Sequence, residues 1–243
     1  MAVPQLPRRF RPYAPGTQPA YLHEPYRSSL KRAPLQPQVL IPQTLSELTG
    51  PLAERIELAA VPCDMTKSVS GREAIGQRIS VSGRVIDEDG RPVRGALMEI
   101  WQANAAGRYL HSRDQHDAPL DPNFAGVGQT LTDHNGSYRF ITILPGNYPW
   151  GNHSNAWRPA HIHFSLFGPA LATRLVTQMY FPGDPLLPFD PIYNCTADSA
   201  ARERLISQFD WDTTVPDTFL GYRWDIVLRG RDETPMEEDD HSR

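Results

Sequence analysis

Residues 78–101, RISVSGRVIDEDGRPVRGALMEIW, carry the pattern that decides the fold. Ile79, Val81 and Val85 sit at odd positions and so share one face of an extended strand. Asp87-Glu88-Asp89-Gly90 then supplies turn chemistry, and a second strand follows over 93–101, ending in Ile100-Trp101. Working outward, strand signals return near 129–132, 137–143, 160–167, 173–181 and 222–229, with Asp133-His134-Asn135-Gly136 as another turn. The expectation is a mainly β chain, an antiparallel β-sandwich of roughly seven strands with long functional loops. One or two short helices complete it: an amphipathic one over 198–209, with Leu205, Ile206 and Phe209 on its apolar side, and a short stretch within 43–58, where Thr44 caps and Glu47 answers three positions on.

The chain has 243 residues, 40% hydrophobic and 21% charged, enough apolar material for a real core. Of its 24 prolines, 11 fall within residues 1–62, which reads as an extended arm rather than packed helix. The organisation expected is an arm and short helix over 1–76, a β-sandwich core over 77–230 and an acidic tail over 231–243, with Glu237-Glu238-Asp239-Asp240 solvated. A net charge of −4 argues against a nucleic-acid partner, which calls for a basic face. No apolar run approaches the ~20 residues of a membrane helix, and the opening MAVPQLPRRF has no apolar stretch of the secretory kind. Cys63 and Cys195 are too few for a disulfide framework or a thiolate metal site, so the expected compartment is the reducing cytoplasm.

Two loops are long for a compact domain, 102–128 and 144–159, and loops of that length are usually functional. The stretch WRPAHIHF at 157–164 places His161 and His163 two apart. On a strand, such residues share a face about 6.6–6.8 Å apart, so two imidazoles can lean onto one metal ion while Ile162 and Phe164 turn to the core. The bland alternative is two exposed polar strand residues. Thiolate zinc lacks its cysteines, and an acidic third ligand of the ferrous His₂-carboxylate type is unmarked. Tyr109 and Tyr148, beside glycines in the two loops, offer phenolate oxygens, hard anionic donors that favour Fe(III); each also reads as an amphipathic rim residue. Arg158, three residues before His161, can stabilise negative charge developing on a substrate.

The blocks WQANAAGRY (101–109), LDPNFAGVG (120–128), LPGNYPW (144–150), WRPAHIHF (157–164) and LVTQMYFPGDP (175–185) closely resemble the intradiol ring-cleaving dioxygenases. The resemblance is greatest to the branch of that family that cleaves protocatechuate. It implies a non-haem Fe(III) held by Tyr109, Tyr148, His161 and His163, with O2 as co-substrate. It implies that Tyr148 and His163 are axial, and that Tyr148 is also a base taking up substrate protons. Arg158 becomes catalytic; Tyr26, Trp150, Gln178 and Ile192 become substrate-binding; Trp101 matches a tryptophan near the site. The implied reaction opens the ring of protocatechuate between its hydroxyl-bearing carbons, giving 3-carboxy-cis,cis-muconate in the β-ketoadipate pathway of aromatic catabolism. The implied partner is a similar α chain lacking the iron ligands, in a hetero-oligomer whose arm wraps a neighbour.

Asn147 and Gly151-Asn152-His153 depart from the family pattern. Two other readings compete: a homodimeric catechol or hydroxyquinol 1,2-dioxygenase, and a non-catalytic prealbumin-like β-sandwich module. The proline-rich arm argues against the first. RPAHIH on one strand, together with tyrosines in two glycine-bearing loops, argues against the second.

Overall fold

Alternating β-branched residues draw Arg78–Ile86 into the longest strand, β2, whose Ile79, Val81 and Val85 are fully buried. The computed structural model describes residues 14–37, 39, 63–67, 71–168 and 174–237. Around β2 assembles a sheet in the order β1 (Cys63–Asp64), β5 (Ser137–Ile143), β2, β11 (Leu220–Arg223), β10 (Gln208–Phe209), with β12 (Ile226–Val227) also on β2. The opposing sheet runs β4 (Val127–Leu131), β3 (Leu97–Trp101), β8 (His161–Phe167), β9 (Leu175–Tyr180), antiparallel throughout. A two-residue hairpin, β6 (Tyr148–Pro149) with β7 (Trp157–Arg158), stands apart.

The sandwich is therefore antiparallel in its second sheet and across β2–β5 and β10–β11, but β1–β5, β11–β2 and β12–β2 are parallel. Period-2 patterning cannot report this, because it fixes which face is buried and not which way a neighbour runs. Both sheets feed one core, in which the Phe140 and Phe164 rings meet at 5.8 Å. Gly83 lets β2 pass the Trp224 carbonyl, which a Cβ there would meet at 1.8 Å; Tyr138 Oη donates to that same carbonyl at 2.6 Å.

The helices are short. Arg27–Arg32 forms α1, Pro191–Asn194 forms α2 and Ser199–Glu203 forms α3. The helix expected over 198–209 thus stops at Glu203. Asp198 caps it by accepting from Ala201 N, but β9 then captures the chain: Tyr180 N donates to Leu205 O and Ser207 N to Tyr180 O. Leu205 is buried as expected, whereas Phe209 lies exposed on β10. The helical stretch expected within 43–58, with Thr44 and Glu47, lies outside the described residues. Among the described residues no helix is long and apolar enough to cross a membrane.

Part of the N-terminal arm is tied to this chain. Asn152 donates to Pro25 O at 2.7 Å and accepts from Arg27 N at 2.9 Å, and Pro19 bridges to Thr196. The departure at residue 152 thus serves to seat the arm. At the other end, Glu237 is not solvated as expected: its side chain is 18% exposed and faces His163.

Candidate metal centre

Strand register builds the first half of the site. Trp101 on β3, His163 on β8 and Gln178 on β9 are directly opposed, so their side chains form one row on the outer face of the second sheet. His161 and Tyr180 form the next row. Ile162, Phe164 and Leu166 point the other way and are fully buried in the core. The histidine face is buried as well, because loops close over it.

Those loops are held by buried polar side chains and by close backbone approach at two glycines. Gln102, buried, donates to Ile143 O at 2.7 Å and accepts from Thr142 Oγ1 at 2.7 Å. Asn104 folds the next turn by accepting from Ala106 N and Arg108 N. Gly107 (φ +79°) lies where a Cβ would stand 2.2 Å from Asn147 O, and at Gly146 a Cβ would meet Ala105 O at 2.5 Å. Both glycines are needed for the loop carrying Tyr109 to press against the loop carrying Tyr148. Asp114 fixes Tyr109 by accepting from its backbone N at 2.7 Å. Asp184 clamps the second loop, accepting from Ala160 N at 2.8 Å and from Asn147 Nδ2 at 3.2 Å. That contact gives Asn147, the other departure from the family pattern, a structural role.

Four aromatic side chains converge where the halves meet. The His161 and His163 rings are 4.8 Å apart, Tyr109 and Tyr148 5.4 Å, Tyr148 and His161 5.5 Å, and Tyr109 and His163 6.4 Å between centroids. His161 Nδ1 lies 2.7 Å from Pro159 O, a group that only accepts, so Nδ1 carries the proton and Nε2 presents a lone pair. Tyr148 Oη lies 3.3 Å from that Nε2. His163 Nδ1 lies 3.0 Å from Glu237 Oε2, again an acceptor, so Nδ1 is the donor there and Nε2 is the nitrogen left to act as a ligand. Trp101 stacks flat on His163 at 4.8 Å and 6°.

Burial holds both phenols above their ordinary range. For Tyr109 the neighbouring Tyr148 adds to this, while for Tyr148 the Arg158 charge works against it. Burial, then Arg158 and His163, push His161 well down, so it is a neutral donor. The Tyr109 hydroxyl is buried with no well-formed hydrogen-bond partner, an arrangement that costs stability unless something else binds it. Two imidazole nitrogens and two phenol oxygens, one of them without a well-formed hydrogen bond, fit a hard trivalent metal ion better than a soft one. Among the described residues no group of three His, Cys, Asp or Glu side chains could hold a metal, so any metal here must draw on the phenols.

Arg158 sits beside this cluster in a buried network. Its Nη2 donates to Gln178 Oε1 at 2.6 Å, Asp190 Oδ2 at 3.0 Å and Tyr180 Oη at 3.1 Å. Burial works against its charge, but Asp190, Tyr148 and Tyr180 hold it firmly protonated. Trp150 lies under the guanidinium at 5.5 Å, and Tyr26 packs on Trp150 at 5.7 Å. Ile192, half-buried in α2, is tied in through its backbone N, which donates to Asp190 Oδ1. His153 is exposed in its loop.

Two residues here, Tyr180 and Asp190, are not singled out by the sequence, and a third, Glu237, reads there as solvated tail. Tyr180 could have been found, since it lies two positions from Gln178 on one strand. Asp190, before Pro191, carries a helix-cap signature but nothing pointing to Arg158. Glu237 has no local signal at all.

Comparison with known proteins gives the family. A dioxygenase family model matches residues 48–230, and a model for the protocatechuate 3,4-dioxygenase beta subunit N terminus matches residues 11–44. The chain belongs to the intradiol dioxygenases and is an enzyme chain of that class. It is 60% identical over 220 residues to the protocatechuate 3,4-dioxygenase beta chain of Burkholderia cepacia, covering 90% of this chain and 93% of that one. The alpha chain of the same enzyme from Pseudomonas putida is 29% identical over 206 residues, covering 82% and 97%. In fold, the chain resembles 3-chlorocatechol 1,2-dioxygenase from Rhodococcus opacus 1CP, with a TM-score of 0.54 and 24% identity over 69% of this chain and 64% of that one.

Proposed function

We propose that this chain is the iron-bearing subunit of an intradiol dioxygenase that cleaves protocatechuate with O2 to 3-carboxy-cis,cis-muconate, within the β-ketoadipate pathway. The observation that carries the reading is the convergence of Tyr109, Tyr148, His161 and His163, with Tyr109 Oη buried against Tyr148 and lacking a well-formed hydrogen bond. In this reading those four residues hold Fe(III), and two phenolates offset much of its charge in a buried site. The ion would supply the electron-withdrawing centre that makes a bound catecholate reactive toward O2.

The chain's own residues do the rest. Burial keeps Tyr148 a phenol, with the Arg158 charge opposing this; as the phenolate that a bound ferric ion would favour, its Oη would take a proton from a substrate hydroxyl. Arg158 is fixed by Asp190, Gln178 and Tyr180, so its charge faces the ring without reorganising as negative charge grows. Tyr26, Trp150, Gln178 and Ile192 form the substrate wall, with Tyr26 toward the ring carboxylate. Protocatechuate is favoured by the full-length likeness to the Burkholderia cepacia beta chain. The partner in this reading is a similar α chain, and the compartment is the cytoplasm, in keeping with two cysteines that form no disulfide.

The test is oxygen uptake on protocatechuate and on catechol, with and without a co-expressed α chain. Protocatechuate-dependent uptake by red-brown, iron-loaded protein is expected, as is loss of iron in His163→Ala. A colourless active protein, or normal iron in that variant, refutes the ligand set. Activity on catechol from this chain alone would favour the homodimeric catechol enzyme.

A further inference from the structure

The acidic residues near the end of the chain read as solvated, yet Glu237 lies against His163. The backbone on either side is strapped down. Thr234 N donates to Val227 O at 2.9 Å, and Val227 N donates to Thr234 Oγ1 at 3.0 Å. Thr177 Oγ1 donates to Pro235 O at 2.8 Å, Met236 N to Gln18 Oε1 at 2.7 Å, and Glu237 N to Val176 O at 2.7 Å. Every residue from 234 to 237 is thus fixed against β9, β12 or the N-terminal arm. The segment delivers a carboxylate 3.0 Å from His163 Nδ1, on the edge of the ring away from Nε2.

We infer that Glu237 is a positioning residue for the metal centre: its carboxylate fixes the tautomer and rotation of His163 and makes that imidazole a more strongly donating ligand. The inference rests on the reading of His163 as an iron ligand. A metal-bound imidazole whose second nitrogen donates to a carboxylate is both oriented and enriched in electron density. Trp101, stacked on the ring face, limits tilting but leaves in-plane rotation free; the hydrogen bond to Glu237 removes it. His161 has a neutral carbonyl, Pro159 O, in the corresponding place. The two histidines would therefore be unequal donors, and the difference would come from one residue remote in sequence.

The experiment uses the iron-loaded full chain with its α partner and compares wild type, Glu237→Gln, Glu237→Ala and His163→Ala. The readouts are the rate at which a strong ferric chelator extracts iron and the wavelength of the visible phenolate-to-iron band. Glu237→Ala is expected to weaken iron retention about 10–100-fold, the usual cost of losing such a partner. Glu237→Gln still accepts from Nδ1, so it should retain iron better than Glu237→Ala. With the negative charge gone, its band should still move to longer wavelength, because a more electron-poor iron lies closer in energy to the phenolates. A purely structural role would leave the band of the folded, iron-bearing Gln variant in place. An unmoved band, with extraction at the wild-type rate in both Glu237 variants, overturns the inference alone. Wild type without iron, or His163→Ala that keeps it, overturns the ligand reading and this inference with it.

Discussion

Asp190→Asn tests whether the Arg158 charge is built into the site or merely tolerated there. Asp190 Oδ2 accepts from Arg158 Nη2 at 3.0 Å and Nε at 3.3 Å, while Oδ1 caps α2 through Ile192 N at 3.1 Å. The two side chains are only 4% and 0% exposed, so water cannot replace the lost partner. An asparagine can keep the cap only by turning its NH2 toward the guanidinium, donor against donor. Turned the other way, it forfeits a cap worth about 1 kcal/mol. Breaking a buried pair by removing one partner costs about 3–5 kcal/mol. Gln178 Oε1 and Tyr180 Oη still accept from Arg158, which places the cost near the lower end, about 3 kcal/mol. For a chain of this size that is a fall in melting temperature of roughly 6–12 °C. Calorimetry on Asp190→Asn, Arg158→Met and the double variant should show a coupling of about 2 kcal/mol, the double costing less than the sum of the singles. An Asp190→Asn melt within about 2 °C of wild type would refute the argument, since a desolvated guanidinium cannot lose its counter-ion so cheaply.

Other expectations follow from single contacts. Gly107→Ala combines left-handed backbone strain of about 1–2 kcal/mol with overpacking of about 1–3 kcal/mol against Asn147 O. Gly90→Ala, at φ +77° with nothing within 4 Å, carries the strain alone, so equal losses in denaturant midpoint would discount the loop contact. Burial, helped by Glu88, raises the Glu233 carboxyl from 4.5 to about 7. The folded state therefore keeps a proton that the unfolded chain has released, and stability falls as pH rises from 4.5 to about 7, then levels. Glu233→Gln should match wild type at the acid end and exceed it by about 1 kcal/mol above neutrality, solvent limiting the gain; a pH-independent difference would contradict this. Tyr148→Phe in the iron-loaded protein should keep its metal but slow protocatechuate association in stopped-flow, and an unchanged rate would remove Tyr148 from proton transfer.

Much of this was legible because faces and loops obey local rules. The alternation at Ile79, Val81 and Val85 gave the buried face of β2, and His-x-His with Ile162 and Phe164 gave both faces of β8. Gly107 and Gly146 marked loops, though not that each glycine faces the other loop's backbone. Parallel pairing of β11 and β12 with β2 left no trace in hydrophobic period. The helix over 198–209 was overestimated because β9 competes for the backbone of Leu205 and Ser207, a tertiary preference invisible to a local window. Glu237 was misread for a related reason. Four acidic residues in a row look solvated, and only the strap from Thr234 onward explains why the first of them turns inward.

That strap touches the arm: Met236 N meets Gln18 Oε1, while Arg27 N meets Asn152 Oδ1 beside Trp150. Segments near both ends of the described chain are thus tied to the elements that carry the candidate site, across more than two hundred residues of intervening sequence. Contacts of such long range are made late, because loop closure must precede them. During synthesis, the ligand loops and β8 can form while residue 237 is still absent. The hydrogen bond between His163 and Glu237 therefore joins a strand to a segment made seventy-four positions later, and it is among the last contacts of the site that the growing chain can close.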